Sequence, residues 1–485
     1  MPIRAADFAV LLLYLGGITL FGVRFRRGQA SVRDYFLGGR TAPWWALSAS
    51  IVATETSTLT IIGTPGIAFA GTLGFLQLAL GYILGRVIIS VLFLPAYFRG
   101  EFYTAYALIE KRFGVRTRRI AALTFLTTRA LAEGVRLNAI GKVVSVAFGT
   151  GTRFSVALIT ALTLLYTFEG GMKAVIWTDL IQLMLYIAGS VVAFFLLLRK
   201  IPGGWSEVVT ASAAAGGKLR VFDFAFNLTQ AYTFWAGIIG GTFLTLASHG
   251  TDQTIVQRLL AARNLRDSQK ALLVSGLIVF VQFALFLVVG VMLFVYAQHA
   301  PLDIPNGDRD RIFPAFVVSQ MPVGVAGLVL AAMFAVAMSN ASGSLNSLAS
   351  SSVMDFSALM GRATDDPARL LRTSRLITLA WGVVIGALAL AEWRSVLEAG
   401  LSIASITYGS LLGLFLLGLL NPRATGGGAV AGMLAGLAAV IYVSRYTHVA
   451  WTWYVLAGTV PAFLVGSLVS LLDNPRQAAG HSLQE

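Results

Sequence analysis

Six consecutive residues, Ala53-Thr54-Glu55-Thr56-Ser57-Thr58, bring one carboxylate and four hydroxyls into the middle of a stretch, about 43–71, that otherwise reads as membrane. A charge at that depth costs at least a few kcal/mol, so it marks an ion or solute site. With roughly 1.5 Å of rise per helical residue, Glu55 falls about 18 Å from the start of the span, close to the bilayer midplane. The helix is expected to break there, because Thr, Ser and Gly compete with the backbone ladder, and Gly63-Thr64-Pro65-Gly66 weakens the outer half further. Carbonyls freed at membrane depth must face protein or a wet cavity, where they can coordinate a cation.

A second polar interruption, Ala247-Ser248-His249-Gly250-Thr251-Asp252-Gln253, falls in the apolar stretch 233–262. Further along, Ser339, Asn340, Ser342 and Asn346 lie in another span, with 339, 342 and 346 on one helical face. Their hydroxyl and amide oxygens opposite an unwound segment would suit a hard alkali cation, which takes about five or six oxygen ligands. The same stripe of small residues would also serve close helix packing. Asp179 lies near the cytoplasmic start of its span, where it either biases an ion path or anchors the helix start. Arg129, Glu133 and Arg136 follow i, i+4, i+7 spacing on one face. They form either a structural ion pair or a pair that leaves Arg136 free to hold a solute carboxylate.

These groups need a membrane scaffold, and the composition supplies one. With 57% hydrophobic residues, 12% charged residues and a mean hydropathy of +0.78, the chain reads as an all-α polytopic membrane protein. Thirteen spans are expected, at about 7–24, 43–71, 74–98, 120–148, 154–168, 174–198, 233–262, 271–297, 323–352, 373–391, 396–419, 427–446 and 450–472. With the N-terminus outside, 22 of the 36 Lys and Arg fall on the cytoplasmic side and ten outside. The net charge of +14 therefore sets orientation rather than nucleic-acid binding, and the C-terminus is expected in the cytoplasm. Four more, Arg86, Arg129, Arg136 and Lys142, lie within spans, where Arg86 and Lys142 are expected to snorkel from helix ends. The first span reads as a retained helix, not a signal peptide.

No Cys is present, and His249, His299, His448 and His481 make no metal-ligand spacing, so thiol chemistry and Cys-ligated metals are excluded. The connections 199–232 and 298–322, the second carrying Asp303, Asp308 and Asp310, read as external loops with short helices or as part of an outer gate. Gly170-Gly171 reads as a tight cytoplasmic turn, since a phosphate loop needs a preceding strand and a following Lys-Ser or Lys-Thr. Two broken helices of opposite direction, five spans apart, mark an inverted-topology repeat with its site at the interface. The repeats are expected at 43–198 and 233–419, with the helix at 7–24 before them and those at 427–446 and 450–472 after.

The blocks Asp34-Tyr35-Phe36-Leu37-Gly38-Gly39-Arg40, Leu108-Ile109-Glu110-Lys111-Arg112-Phe113-Gly114, Gln257-Arg258 and the run from Tyr166 to Gln182 resemble the sodium:solute symporter family. The most specific part is Gly170-Gly171-Met172-Lys173-Ala174 leading to Trp177-Thr178-Asp179. The resemblance covers about 7–475 and implies a LeuT-type ten-helix core with a sodium site between spans two and nine. It implies that Ala53, Thr56 and Val336 lend carbonyls and Ser339 its hydroxyl. Asn340 stands where the family usually has a second Ser or Thr, and its amide oxygen is the remaining candidate ligand. Asp179 matches an acidic residue on the sodium exit route, and Glu55 matches an acidic residue of proline-carrying members. The sugar-holding side chains of hexose carriers have no match, since Thr60 and Leu246-Ala247-Ser248-His249 occupy their places. Arg136, Thr60, Ser248, His249, Thr251 and Asp252 are the solute candidates, and an amino acid or organic acid is expected over a hexose.

These observations together imply a Na+-coupled symporter in the cell membrane, working by alternating access on a small polar organic solute. A proton-coupled carrier is the alternative, because Glu55, Asp179 and His249 could titrate. A channel fits less well, and no catalytic constellation suggests an enzyme.

Overall fold

The computed structural model describes residues 4–24, 32–100, 102–148, 151–300, 302, 312–356, 367–391 and 396–473. Within its helices the side chains at 23, 32, 58, 59, 142, 143, 145–148, 152, 163, 165–171, 339, 367, 368 and 396–402 lie outside that description, as do Asp303, Asp308 and Asp310. Thr58, Lys142 and Ser339, named from the sequence, are therefore placed by backbone alone.

The regular elements among the described residues are all helices, apart from an isolated β-bridge between Ala42 and Ala262. In order, the helices are α1 (Ala5–Val23), α2 (Val32–Leu37), α3 (Trp44–Glu55), α4 (Thr58–Ala70), α5 (Phe75–Phe98), α6 (Ala105–Phe113), α7 (Val115–Phe148), α8 (Thr152–Lys200) and α9 (Gly204–Ala214). A π-helical turn, Ala236–Gly240, then leads into α10 (Gly241–Gly250), α11 (Gln253–Leu260), α12 (Leu265–His299), α13 (Ile312–Gln320) and α14 (Val325–Asp355). The last four are α15 (Pro367–Ala389), α16 (Val396–Leu420), α17 (Gly426–Tyr446) and α18 (Tyr454–Leu472).

Nine of the described helices are long and apolar enough to cross a membrane, or ten when the bent pair α3–α4 counts as one span. That count covers the described residues, and three of the thirteen expected spans stand apart from it. α7 carries Arg129, Glu133 and Arg136 through its middle, and the second broken helix is split into short pieces. Expected spans five and six share the 49-residue α8, whose helical bonding runs through the predicted turn at Gly170-Gly171. At about 1.5 Å per residue α8 is more than twice as long as a bilayer core is thick, so it holds two spans' worth of chain.

Both predicted breaks exist. α3 ends at Glu55, Thr56 and Ser57 are extended, and α4 leaves at 62° to α3. Ser57 restarts the helix through a capping box: its hydroxyl accepts from the Thr60 amide, and Thr60 Oγ1 accepts from the Ser57 amide. α4 continues through Pro65, which the sequence reading expected to weaken it. At the second break α10 stops at Gly250, and Asp252 caps α11 by accepting from the Thr254 amide at 2.8 Å.

Glycines let these pieces approach backbone to backbone. A Cβ on Gly81 of α5 would fall 2.2 Å from the Gly237 carbonyl oxygen, and one on Gly290 of α12 would fall 2.2 Å from that of Pro65. α12 thus lies against α3, α4 and α5, α8 against α14, α1 and α3, and α17 and α18 pack together beside α16. The outer faces keep large apolar side chains exposed, among them Leu13, Leu20, Val91 and Leu472, as lipid contact requires.

Candidate functional site

The two breaks face one cavity of about 220 Å³. α3 and α4 contribute Thr54, Glu55, Ser57 and Thr60, α10 contributes Ser248 and His249, and Asp252 stands at the head of α11. α7 adds Arg129 and Arg136, α16 adds Ser405 and Tyr408, and Phe75, Tyr82, Tyr232, Phe283 and Trp451 give it an aromatic wall. A mostly apolar lining with a few convergent polar groups is the usual form of a small-solute site.

Of the solute candidates, Thr60, Arg136, Ser248, His249 and Asp252 line this cavity. Thr251 does not. Its hydroxyl donates back to the Ala247 carbonyl at 2.8 Å, as Thr commonly does at a helix end. Thr60 also serves the α4 cap, so it holds the break as well as facing the cavity.

Charges around the cavity occur in matched clusters. Arg86 Nη2 bonds Glu55 Oε2, His249 Nε2 lies 3.1 Å from Arg86 Nη2, and His249 Nδ1 lies 2.8 Å from the Ser248 hydroxyl. Arg86 does not snorkel: it is fully buried, donating also to the Tyr82 carbonyl and to Ser275. Gly276 makes the room, since a Cβ there would fall 2.8 Å from Arg86 Cδ. The cluster ties the first broken helix to the second.

On the other side, Arg129 Nη1 is 3.7 Å from Asp252 Oδ2, which also accepts from the Tyr408 hydroxyl at 2.8 Å. Arg129 Nε donates to Ser344, whose hydroxyl donates to Glu133, and Arg136 Nη1 meets the same Glu133 oxygen at 3.2 Å. Arg136, with 24% of its side chain exposed, is more open than Arg129 at 8%. Arg136 therefore keeps donors available to a solute while its charge is steadied by Glu133.

Three of the candidate cation groups, Thr56, Val336 and Asn340, also converge. The Ser57 amide, which an unbroken helix would give to the Ala53 carbonyl, donates to Thr60 Oγ1 instead. The carbonyls of Thr56 and Val336 meet at the Asn340 side chain, whose Nδ2 lies 2.8 Å from the first and 3.0 Å from the second. Asn340 Oδ1 is buried and has no hydrogen-bond partner among the described residues. Two main-chain oxygens and an orphaned amide oxygen are hard, neutral donors of the kind that fits an alkali cation. Ser339 lies one residue before Asn340 on α14, and Gln282 of α12 fixes the Thr56 hydroxyl at 2.7 Å.

Asp179 is fully buried, where it accepts from Ser50 at 2.5 Å and from Arg258 at 3.0 Å. Arg258 is equally buried and bridges Asp179, Ser50 and the Thr254 carbonyl, against Gly343 of α14. Ser342 is buried in the same helix. Sequence reasoning gave no role to Arg258 or Tyr408, and misplaced Arg86. One signal was available: a mid-membrane Glu55 demands a cation, and span three holds Arg86 alone near its centre.

Among the described residues no group of three or more His, Cys, Asp or Glu could hold a transition or divalent metal. Comparison with known proteins gives a consistent picture. A solved structure of a Na+-coupled sialic acid symporter in its substrate-bound, outward-open state superposes with a TM-score of 0.90, at 29% identity over 97% of this chain and 99% of that one. The nucleobase-cation-symport-1 family transporter Mhp1 shares the fold at a TM-score of 0.57 and 14% identity, over 93% and 95% of the two chains. In sequence, the sodium/sialic acid symporters of Proteus mirabilis and Aliivibrio fischeri are 29% and 31% identical, over 97% and 96% of this chain and 95% and 92% of theirs. The human sodium/iodide cotransporter is 31% identical over 90% of this chain and 69% of its own length. The family model for the sodium:solute symporter family matches residues 35–436, and this multi-pass membrane protein belongs to that family of transporters.

Proposed function

We propose that this protein uses a Na+ gradient to import a small organic acid, with its carboxylate held by Arg136 and its remaining polar groups by Ser57, Thr60, Ser248 and His249. The observation that carries the reading is one cavity shared by two broken helices, with Arg136 as the most open of its lining cations, and with the Thr56 and Val336 carbonyls converging at the first break. Residues 43–198 and 233–419 are the two inverted repeats in this reading, and the cavity lies at their interface. Na+ joins α3 to α14, so it binds best when both are held in the outward-facing arrangement. That arrangement then binds the solute more tightly, which is what coupling requires. A potential near 100 mV adds roughly 2.3 kcal/mol of drive per ion carried inward.

Two relatives that match nearly the whole of this chain are named as carriers of sialic acid, an organic acid, which makes it the first solute to test. Purified protein in liposomes is expected to accumulate radiolabelled sialic acid, or another carboxylate, under an inward Na+ gradient. Replacing Na+ by choline at fixed pH should abolish uptake. Uptake that persists in choline and follows a pH gradient would instead assign the drive to protons through Glu55 and His249. Accumulation of glucose with no carboxylate taken up would overturn the solute class.

A further inference from the structure

The Asn340 side chain touches both the Thr56 and the Val336 carbonyl, two main-chain oxygens of the candidate cation site. Its amide nitrogen is fully used, donating to the Thr56 carbonyl across the helix interface and to the Val336 carbonyl one turn back on α14. Its oxygen is not used: Oδ1 is buried, in a residue 1% exposed, with no partner among the described residues. A buried acceptor without a donor is costly, so a satisfied nitrogen beside an unsatisfied oxygen calls for an explanation. Two carbonyl oxygens facing one another across a helix contact need something positive between them. An NH2 group supplies that with two hydrogens, and a cation would supply it with charge.

We infer that the Asn340 amide is both the stand-in for Na+ and one of its ligands. Without the ion, Nδ2 bridges Thr56 and Val336 and keeps α3 and α14 together. With the ion, the amide turns about its Cβ–Cγ bond, the carbonyls pass from nitrogen to Na+, and Oδ1 joins the coordination shell. No covalent bond changes and no proton leaves the site. The exchange weakens Na+ binding relative to a side chain that cannot bridge the carbonyls, because two hydrogen bonds must be broken before the ion enters. Asn340 thereby sets the Na+ concentration at which the transporter responds. This inference rests on the proposed Na+ coupling.

The test is Na+ titration of the thermal unfolding of purified protein in detergent, with choline holding the ionic strength. The wild type is expected to be stabilised by Na+ through mass action. In Asn340→Asp the side chain offers only oxygens: stability in choline should fall, and the half-saturating Na+ concentration should drop by about tenfold, a charged ligand being worth at least that factor. Asn340→Ser, for the event that a buried carboxylate prevents folding, has one donor and cannot bridge both carbonyls, so its half-saturating concentration should also fall, by a smaller factor. Asn340→Leu, similar in size and lacking any oxygen, should lose the Na+ response. Half-saturation unchanged or raised in both Asn340→Asp and Asn340→Ser, or a wild-type response in Asn340→Leu, overturns the role of the amide while leaving Na+ coupling intact. A wild type with no Na+ response, in unfolding or in uptake, overturns both.

Discussion

At Arg86 a guanidinium without solvent contact stands beside Glu55, and neither charge is tolerable there without the other. Glu55→Gln alone strands Arg86, and unfolding measurements should show a loss of about 3–5 kcal/mol. The double change Glu55→Gln with Arg86→Met should recover most of it, a non-additivity that a double-mutant cycle reads directly. If the double variant is less stable than either single one, the pair is not the reason both residues are kept. Arg136 differs because it keeps an open side. Arg136→Ala should raise the half-saturating solute concentration by about tenfold or more, as loss of a charge-assisted contact does, and leave the Na+ response of the unliganded protein unchanged. Equal loss of both responses would mean that Arg136 holds the fold instead. Individual residue types were legible from sequence, for a carboxylate or guanidinium in an apolar stretch announces itself. The pairings were not: Glu55 and Arg86 are 31 residues apart, and Asp179 and Arg258 are 79 apart.

Helix breaks are the most sequence-readable elements of this molecule, because their causes are local. The Thr56 amide makes the last bond of the ladder, the Ser57 amide leaves it, and the Ser57–Thr60 capping box restarts it within the same few residues. Ser57→Ala should cost about 1 kcal/mol, the usual value of a lost N-cap, seen as a lower unfolding temperature. Packing glycines carry a larger penalty. Gly290→Val would drive a branched side chain into the Pro65 carbonyl, and overpacking of this kind costs about 1–3 kcal/mol. It should also separate α4 from α12 and abolish Na+-dependent uptake, whereas Gly216→Val, with nothing within 4 Å of its Cβ position, should leave the cavity intact despite its backbone strain. The expected turn inside α8 and the count of thirteen spans were less secure for a related reason. A Gly pair permits a turn but does not require one, and hydropathy alone cannot tell one long helix from two shorter ones.

For the whole molecule, the absence of cysteine turns orientation into a direct measurement. With the N-terminus outside, Ser206→Cys on exposed α9 should react with an impermeant maleimide added to intact cells. Arg423→Cys, exposed between α16 and α17, should react only after permeabilisation. The reverse pattern would invert the topology and, with it, the direction in which the two broken helices open.

Sequence by itself determined the membrane setting, the two broken helices and the polar residues placed at them, since each follows from local composition and backbone chemistry. The tertiary structure alone decided which charge neutralises which, that Thr251 turns away while Tyr408 turns in, and that the Asn340 amide spans two carbonyls on separate helices. The division is physical. A helix break is written in the residues that form it, whereas a buried charge finds its partner only when distant helices close and exclude the water that would otherwise have solvated both.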